Sequence, residues 1–179
     1  YSRYAKLISI SQQTQDALQD WLQLKDGRFI VINNGVDTKR FASVRRPVIA
    51  NSLIMVSRFA VSKDQGTVIR AMKEIRKDAV LRFVGDGKNL EYCKLLAKEY
   101  GVEDRIQFLG ARSDVAELIS ESYIGIQSSN WEGFGLTAVE LMACGKPVIA
   151  TDVDGLKQVV AGAGVVFHRG DSEGLAAIV

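Results

Sequence analysis

Residues Ser129–Asp152 are "SNWEGFGLTAVELMACGKPVIATD" and contain the most specific pattern in the chain. The order of residue types predicts a glycine-containing loop, an apolar helix from Leu136 to Cys144, a turn and the buried strand "PVIAT". The helix carries a single carboxylate, Glu140, and a second carboxylate, Glu132, precedes the glycines. An acid in an apolar helix is costly unless it has a partner, so its position calls for a chemical explanation.

This stretch belongs to a longer alternation of strands and helices. From residue 48 onward the predicted strands are "SLIMVS", "VLRFVG", "RIQFLG", "YIGIQS", "PVIAT" and "GVVF". The predicted helices are Gln65–Lys77, Leu90–Tyr100, Val115–Glu121, Leu136–Cys144, Leu156–Val160 and a terminal helix. Short continuous apolar strands separated by helices are typical of a parallel sheet covered on both faces. We therefore predict an α/β fold with a doubly wound, Rossmann-like parallel sheet.

The first 47 residues precede this series. "AKLISI" (Ala5–Ile10) and "RFIVI" (Arg28–Ile32) are predicted strands, and Ser11 is the expected N-cap of the helix between them. That helix has an apolar stripe that we expect to face inward, formed by Ala17, Leu18, Trp21 and Leu22. An Asn-Gly turn signal and a polar stretch up to Pro47 then predict a linker.

Composition excludes several classes of function. The net charge is +2 and the basic residues are scattered, which gives no footprint for nucleic acid or an acidic membrane surface. Cys93 and Cys144 have no metal-ligand spacing and imply no disulfide framework, so a cytoplasmic location is expected. No apolar run is long enough to span a bilayer. The sequence predicts neither a bound metal nor a cofactor.

The start of the helix after Glu132 has the properties of an anion site. In a doubly wound sheet, ligands bind at the carboxyl ends of the strands, where helix N-termini also point. Gly133 and Gly135 allow backbone N–H groups to approach a phosphate, and Glu140 lies roughly 7 Å further along the helix axis. This spacing fits a nucleotide sugar with ribose at Glu140 and a hexose at Glu132. The alternatives are that Glu140 pairs with a lysine or reaches solvent, and that Glu132 is a simple loop carboxylate.

The stretch "EGFGLTAVELMACGKPVIAT" resembles the retaining GT-B glycosyltransferases of family 4, which carry two glutamates separated by seven residues. Four other segments are similar to that family in the same order along the chain, namely "INNGVDTKRF", "VSRFAVSKDQG", "LRFVGDG" and "IQFLG". Two departures are Ser128, where the family usually has proline, and Gln158, where glutamate is common.

The resemblance implies a role for each matching residue. Arg58 and Lys63 would grip the diphosphate and stabilise its charge as the glycosidic bond breaks. Glu132 would hold the donor sugar, and Glu140 the ribose. The backbone around the helix start would line the phosphate and sugar site, Ser129 would lie near the nucleotide, and the loop Gly110–Ser113 would pass the base. The residues so implied in substrate binding are Glu140, Gly133, Phe134, Gly135, Leu136, Ser129 and Arg112.

The family also implies an architecture and a reaction. Residues 1–40 would be the tail end of an N-terminal Rossmann-like domain with its linker, and residues 41–179 a donor-binding domain truncated at its C-terminus. The expected activity is transfer of a hexosyl group from a nucleoside diphosphate sugar to a saccharide or lipid-linked acceptor, in bacterial polysaccharide or glycolipid synthesis. The acceptor would bind through the missing part, so this chain alone is expected to be inactive. Peripheral association of the full-length enzyme with the inner face of the cell membrane would fit such acceptors.

Two other functions remain open from the sequence. A nucleotide-sugar epimerase can have the same architecture, and a non-catalytic module can bind a nucleotide sugar without transferring it. A dinucleotide-dependent dehydrogenase is disfavoured, because the glycine pattern that begins at Gly85 has Leu90 where the fingerprint requires its last glycine. His168, the only histidine, is expected to be a surface loop residue.

Overall fold

The computed structural model describes residues 6–23 and 28–179, which contain two separate parallel sheets. The smaller sheet pairs β1 (Leu7–Ser9) with β2 (Phe29–Val31). The strands of the larger sheet are β3 (Ser52–Val56), β4 (Val80–Val84), β5 (Ile106–Phe108), β6 (Ile124–Gln127), β7 (Val148–Thr151) and β8 (Val165–Phe167). Its strand order is β5-β4-β3-β6-β7-β8, with every neighbouring pair parallel. The predicted doubly wound α/β fold is confirmed.

Eight α-helices lie among the described residues. They are α1 (Gln12–Leu22), α2 (Thr38–Ala42), α3 (Gln65–Ala71), α4 (Leu90–Glu99), α5 (Val115–Glu121), α6 (Leu136–Ala143), α7 (Leu156–Val160) and α8 (Ser172–Ile178). Helix α1 packs beside the smaller sheet, and the others cover the two faces of the larger sheet. One apolar cluster packs α3, α4 and α8 against the sheet, and the other packs α2, α5, α6 and α7. The four central strands, β3, β4, β6 and β7, are buried on both faces, which is why they appear as continuous apolar runs in the sequence.

The strand order reverses direction at one point in the larger sheet, between β3 and β6. The chain runs from β3 outward to β4 and β5, and then returns to the other side of β3 to form β6. The carboxyl ends of β3 and β6 therefore adjoin a crevice between helices on opposite faces. In open α/β sheets this crevice is where ligands bind.

The glycines of "GDG" hold the loops after β3 and β4 together. Gly85 has a φ of +137°, and a Cβ atom there would lie 2.0 Å from the carbonyl oxygen of Ser57. Gly87 has a φ of +151°, and its Cβ would lie 2.3 Å from the carbonyl oxygen of Phe59. These glycines permit a close backbone approach within the protein, which is a structural reason for the motif.

The boundaries differ from the prediction in the first part of the chain. The predicted linker contains the short helix α2, which Asp37 caps by accepting from the Arg40 N–H at 3.0 Å and which buries Phe41. The expected inward stripe of α1 was wrong, since no residue of α1 is buried and Trp21 is 78% exposed. Among the described residues, α1 packs mainly against the three-residue strands β1 and β2, which are too short to bury the stripe. Ala5, the first residue of the predicted strand, lies outside the described residues.

Helix α3 also ends earlier than predicted, at Ala71 rather than Lys77. The next N–H groups, those of Lys73 and Glu74, bond to carbonyl oxygens three residues back. This tighter winding keeps Met72 and Ile75 in the core while ending the regular helix.

Candidate functional site

Loops from the carboxyl ends of β3 and β6 meet at the crevice and bring Lys63 to Glu132. The Lys63 ammonium contacts the Glu132 carboxylate, and it also donates to the Ser129 hydroxyl at 3.3 Å. The two charged side chains are only 18% and 20% exposed. Two residues that the sequence assigned to one site are therefore in contact, and each limits the conformations of the other.

The backbone fixes this pair. Lys63 and Ser129 form an isolated antiparallel bridge, and the Asp64 N–H donates to the Ser128 carbonyl at 3.1 Å. Asp64 also caps α3 by accepting from the N–H and the hydroxyl of Thr67. The loop that carries Lys63 is thus tied both to the Glu132 loop and to the start of a helix.

Ser129 is buried completely, with its backbone bonded to the Thr151 hydroxyl on both the donor and the acceptor side. Its own hydroxyl accepts from Lys63. Ser129 therefore presents no exposed surface of its own, and its expected place near the nucleotide stays a prediction.

The start of α6 has free backbone donors. Among the described residues, no acceptor is found for the N–H groups of Phe134, Gly135 and Leu136. Gly135 caps the helix with a φ of +86°, and a Cβ atom there would lie 2.6 Å from Leu156. The positive φ favours glycine at this position, and the free N–H groups together with the helix dipole favour an anion.

Gly133 and Phe134 adjoin the N-terminal part of the chain. The Ser11 hydroxyl donates to the Gly133 carbonyl at 3.0 Å, while also capping α1. Phe134 lines a cavity of about 660 Å³ with Val139 and Met142. The side chain of Phe134 therefore faces the crevice between the two sheets, and only its backbone can serve the anion site.

Glu140 is half-buried on α6, and no hydrogen bond or ion pair to its carboxylate is found within the described residues. Burial raises the pKa of its carboxyl group, and the positive charge of Arg40 opposes that rise. The alternative that Glu140 pairs with a lysine is not what the structure contains. A partly buried carboxylate without a partner is a candidate binding group.

Arg40 is a residue that the sequence interpretation missed. It lies on α2, donates to the Ser113 carbonyl at 3.3 Å and has its guanidinium 5.4 Å from the centre of the Phe41 ring. It thus connects the linker helix, the loop after β5 and the charge environment of Glu140. The N-cap pattern that begins at Asp37 was the available signal for α2, but nothing local indicates the proximity to Glu140.

Arg58 follows β3, is exposed, and makes no side-chain hydrogen bond or ion pair with the residues that the structure describes. The buried Gln65 side chain holds its loop by donating to the Arg58 carbonyl at 2.9 Å and to the Ser57 hydroxyl at 3.0 Å. The guanidinium is therefore available to a ligand on a fixed backbone. Gln65 also escaped the sequence interpretation, because a buried polar residue in the first turn of a helix has no distinctive signal.

Arg112 is engaged within its own loop. Its guanidinium makes a bidentate pair with Asp114, at 2.8 and 2.7 Å. This pairing raises the pKa of Arg112 and lowers the pKa of Asp114. The structure thus brings together Lys63, Glu132 and Ser129, leaves the side chains of Arg58 and Glu140 without a partner among the described residues, and holds Arg112 in a surface pair.

His168 is exposed, as expected, and its Nδ1 lies 2.5 Å from the Asp152 carboxylate. None of the helices among the described residues combines the length and apolarity needed to cross a bilayer. No group of three or more potential metal-ligating His, Cys, Asp or Glu side chains is found in residues 6–23 and 28–179.

Comparison with known proteins places these features in a family. A family model described as Glycosyl transferases group 1 matches residues 37–179. N-acetyl-alpha-D-glucosaminyl L-malate synthase from Bacillus anthracis is 39% identical over 130 residues, which cover 69% of this chain and 34% of that protein. The lipopolysaccharide core biosynthesis glycosyltransferase LpsD from Rhizobium meliloti is 30% identical over 140 residues, which cover 77% of this chain and 40% of the relative. The chain spans less than half the length of these curated relatives.

Solved structures have the same architecture. Anabaena HepE, in complex with UDP and glucose, superimposes with a TM-score of 0.86 at 28% identity, covering 98% of this chain and 53% of that one. WaaG, a glycosyltransferase of lipopolysaccharide biosynthesis, superimposes with a TM-score of 0.84 at 21% identity, covering 96% and 53%. The chain belongs to the glycosyl transferases group 1 family and has the α/β architecture found in GT-B glycosyltransferases.

Proposed function

We propose that the intact protein is a retaining glycosyltransferase of family 4, and that this chain carries most of its donor site. The donor is a nucleoside diphosphate hexose. The acceptor is a saccharide or a lipid-linked saccharide, and the products belong to polysaccharide or glycolipid synthesis.

The observation that carries this proposal is that α6 has unbonded backbone N–H groups at its start and a carboxylate without a partner further along the helix. The unbonded N–H groups of Phe134, Gly135 and Leu136 suit a diphosphate, and the unpartnered Glu140 lies about one turn further on. A nucleoside diphosphate has an anionic group and a ribose with two adjacent hydroxyls at this order of separation. A carboxylate can accept hydrogen bonds from both hydroxyls.

The chemistry requires charge stabilisation at the leaving group. As the bond from the sugar C1 to the β-phosphate oxygen breaks, the cations Lys63 and Arg58 stabilise the charge that develops on the diphosphate. A β-phosphate oxygen takes the proton of the acceptor hydroxyl, whose oxygen forms the new bond to C1 on the same face. Lys63 contacts Glu132 in this structure, so the same ammonium can orient the carboxylate that holds the sugar.

The relatives support this type of donor. HepE is described in complex with UDP and with UDP-glucose, so uridine diphosphate sugars are the first donors to test. We infer a cytoplasmic reaction without a bound metal or cofactor, at the membrane surface when the acceptor is lipid-linked. A bacterial source and a two-domain intact enzyme remain part of the same proposal.

The test is ligand titration of the intact protein, followed by product analysis. UDP and UDP-glucose are titrated against Glu140→Gln, Glu132→Gln and the control Glu99→Gln, an exposed carboxylate on α4. Glu140→Gln should weaken both ligands by about 1.5–3 kcal/mol, the range for a hydrogen bond to a charged group. Glu132→Gln should weaken only the additional affinity due to the sugar.

Product analysis by NMR then distinguishes transfer with retained anomeric configuration, epimerisation and simple binding. Equal weakening of both ligands by Glu132→Gln would place the hexose elsewhere. Unchanged binding in a folded Glu140→Gln variant would refute the ribose assignment.

A further inference from the structure

The loop between β3 and α3 carries both proposed diphosphate cations, Arg58 near its start and Lys63 near its end. Two side-chain amides donate to backbone carbonyl groups of this loop. They are those of Gln65, the first residue of α3, and of Asn130, in the loop after β6. The positions of the two cations therefore depend on residues that carry no charge.

The Gln65 amide is buried, and its nitrogen makes two hydrogen bonds. The residue is 1% exposed, and the nitrogen donates to the Arg58 carbonyl at 2.9 Å and to the Ser57 hydroxyl at 3.0 Å. An amide nitrogen has two protons, so these bonds leave none for a ligand. Because Gln65 is also buried, it can affect a bound ligand only through the residues that it holds.

Phe59 anchors the loop directly after Arg58. Its ring is buried, with its centroid 5.6 Å from that of Phe83, and its N–H donates to the Asp86 carbonyl at 2.9 Å. The Arg58 backbone is thus fixed on both sides, by Phe59 and by the Gln65 amide. Its guanidinium, by contrast, has no hydrogen bond or ion pair within residues 6–23 and 28–179.

Asn130 fixes the other half of the loop. Its backbone N–H donates to the Ser62 carbonyl at 2.9 Å, and its side-chain amide donates to the Val61 carbonyl at 2.7 Å. Ser62 directly precedes Lys63, whose ammonium contacts the Glu132 carboxylate. The Asn130 contacts therefore hold the backbone from which the Lys63 side chain extends.

A fixed loop matters to the chemistry because charges that are already in place stabilise a transition state without the cost of reorganisation. Long side chains lose conformational entropy when a ligand orders them, and a fixed backbone reduces how much remains to be ordered. Loosening the loop would keep both cations but spread their positions. A misplacement of about 1 Å can reduce a rate roughly a hundredfold.

We propose that Gln65 and Asn130 are positioning residues, which hold the loop of Arg58 and Lys63 in the arrangement that a diphosphate requires. Gln65 acts through Arg58, and Asn130 acts through Lys63. The inference rests on the glycosyltransferase function proposed above, and it adds two uncharged residues to the support of the donor site.

The test is a double-mutant cycle on the affinity of the intact protein for a nucleoside diphosphate. UDP, GDP and ADP are titrated by isothermal titration calorimetry, and the nucleotide that binds most tightly is used for all variants. Gln65→Met keeps the length of the side chain but removes its N–H donors, so it should raise the Kd about three- to tenfold, the range for one hydrogen bond. In an Arg58→Ala background it should change the Kd by less than about twofold, because the group through which it acts is absent.

The second cycle pairs Asn130→Leu with Lys63→Met. Leucine has nearly the shape of asparagine but cannot donate to the Val61 carbonyl, so Asn130→Leu should also raise the Kd about three- to tenfold. The effect should fall below about twofold in the Lys63→Met background. If circular dichroism shows that Gln65→Met does not fold, Ser57→Ala replaces it in the first cycle, since it removes one of the two bonds to the same amide.

Ser122→Ala is the matched control for a general loss of stability. The Ser122 hydroxyl is buried and donates to the Leu118 carbonyl at 2.8 Å, but Ser122 precedes β6 and therefore lies at the end of the parallel strands opposite to the Arg58 loop. The Kd should not change in this variant. An increase equal to that of Gln65→Met would show that any destabilisation weakens binding, and would overturn the inference.

The remaining outcomes separate this inference from the proposed function. An effect of Gln65→Met that is equally large with and without Arg58 would overturn its assignment. The same result for Asn130→Leu with and without Lys63 would overturn the second assignment, and unchanged affinity in both folded single variants would overturn both. If none of the three nucleotides binds, the proposed donor site fails and the inference fails with it. Binding with additive effects in both cycles overturns the inference alone.

Discussion

The ammonium of Lys63 contacts the carboxylate of Glu132, 69 positions away in the sequence, and shares a hydrogen bond with the buried Ser129 hydroxyl. Each partner is about four-fifths buried, so removing one leaves the other charge incompletely compensated. The pair also joins the loops that follow β3 and β6. It is both a structural contact and a link between two proposed catalytic groups.

This relationship predicts energetic coupling between Lys63 and Glu132. Lys63→Met and Glu132→Gln should each lower the free energy of unfolding, and the double variant should lose less than the sum by about 0.5–3 kcal/mol. Urea denaturation of the four proteins measures the coupling. The exposed pair Arg76–Asp78 is the control and should show much weaker coupling, because solvent screens it. Additive effects at Lys63 and Glu132 would mean that their contact contributes nothing to stability.

A second prediction concerns pH and Glu140. Burial raises the pKa of this carboxyl group in the folded state, so ionisation opposes folding. Stability should therefore decrease as pH rises from the ordinary pKa of 4.5 through the raised value. Glu140→Gln should be more stable than the wild type above this window and should lose that advantage below about pH 4.5.

Removing the charge of Arg40 tests whether the raised pKa of Glu140 causes this pH dependence of stability. That charge opposes the rise, so Arg40→Ala should move the pKa of Glu140 further upward. Urea unfolding at a series of pH values measures both effects. An Arg40→Ala profile identical to that of the wild type would show that the two charges do not interact.

The buried Ser128 hydroxyl predicts a stabilising substitution. Its oxygen is fully buried and has no hydrogen-bond partner among the described residues. Ser128→Ala should leave stability unchanged or raise it by about 1 kcal/mol, because an unsatisfied polar group is removed.

Ser122→Ala is the matched control, since the Ser122 hydroxyl is equally buried but donates to the Leu118 carbonyl at 2.8 Å. Ser122→Ala should cost about 1 kcal/mol by thermal or urea unfolding. Equal losses in both variants would mean that Ser128 has a partner after all.

A fourth prediction concerns the close approach of the loops after β3 and β4. Gly85→Ala would place a Cβ atom 2.0 Å from the Ser57 carbonyl oxygen at a φ of +137°. The cost should be roughly 3 kcal/mol or more, because backbone strain and a steric clash add. Gly101→Ala has a φ of +63° and nothing within 4 Å, so it should cost only about 1 kcal/mol. Equal unfolding midpoints for the two variants would contradict the steric explanation.

Much of the molecule followed from the sequence alone. Continuous apolar strands between amphipathic helices required burial on both faces, so the parallel sheet was predictable from periodicity. The sequence from Glu132 to Glu140 predicted a glycine loop, a helix start and a carboxylate about one turn into the helix. The distance from the helix start to Glu140 was predictable because an α-helix has 3.6 residues per turn. The burial pattern of each strand and the spacing within the loop and helix are local properties of the sequence, so they can be read without knowing which elements pack together.

Other features depend on which loops the sheet brings together. The reversal of strand order between β3 and β6 puts Lys63 beside Glu132, and the packing of α2 on α6 puts Arg40 near Glu140. Local pattern cannot specify either contact, since both arise from long-range packing of separate elements. The exposure of a side chain also depends on long-range packing. Only the tertiary structure shows that Trp21 and Trp131 both reach solvent. Of these two residues, Trp131 lines a cavity beside Glu132, and Trp21 does not.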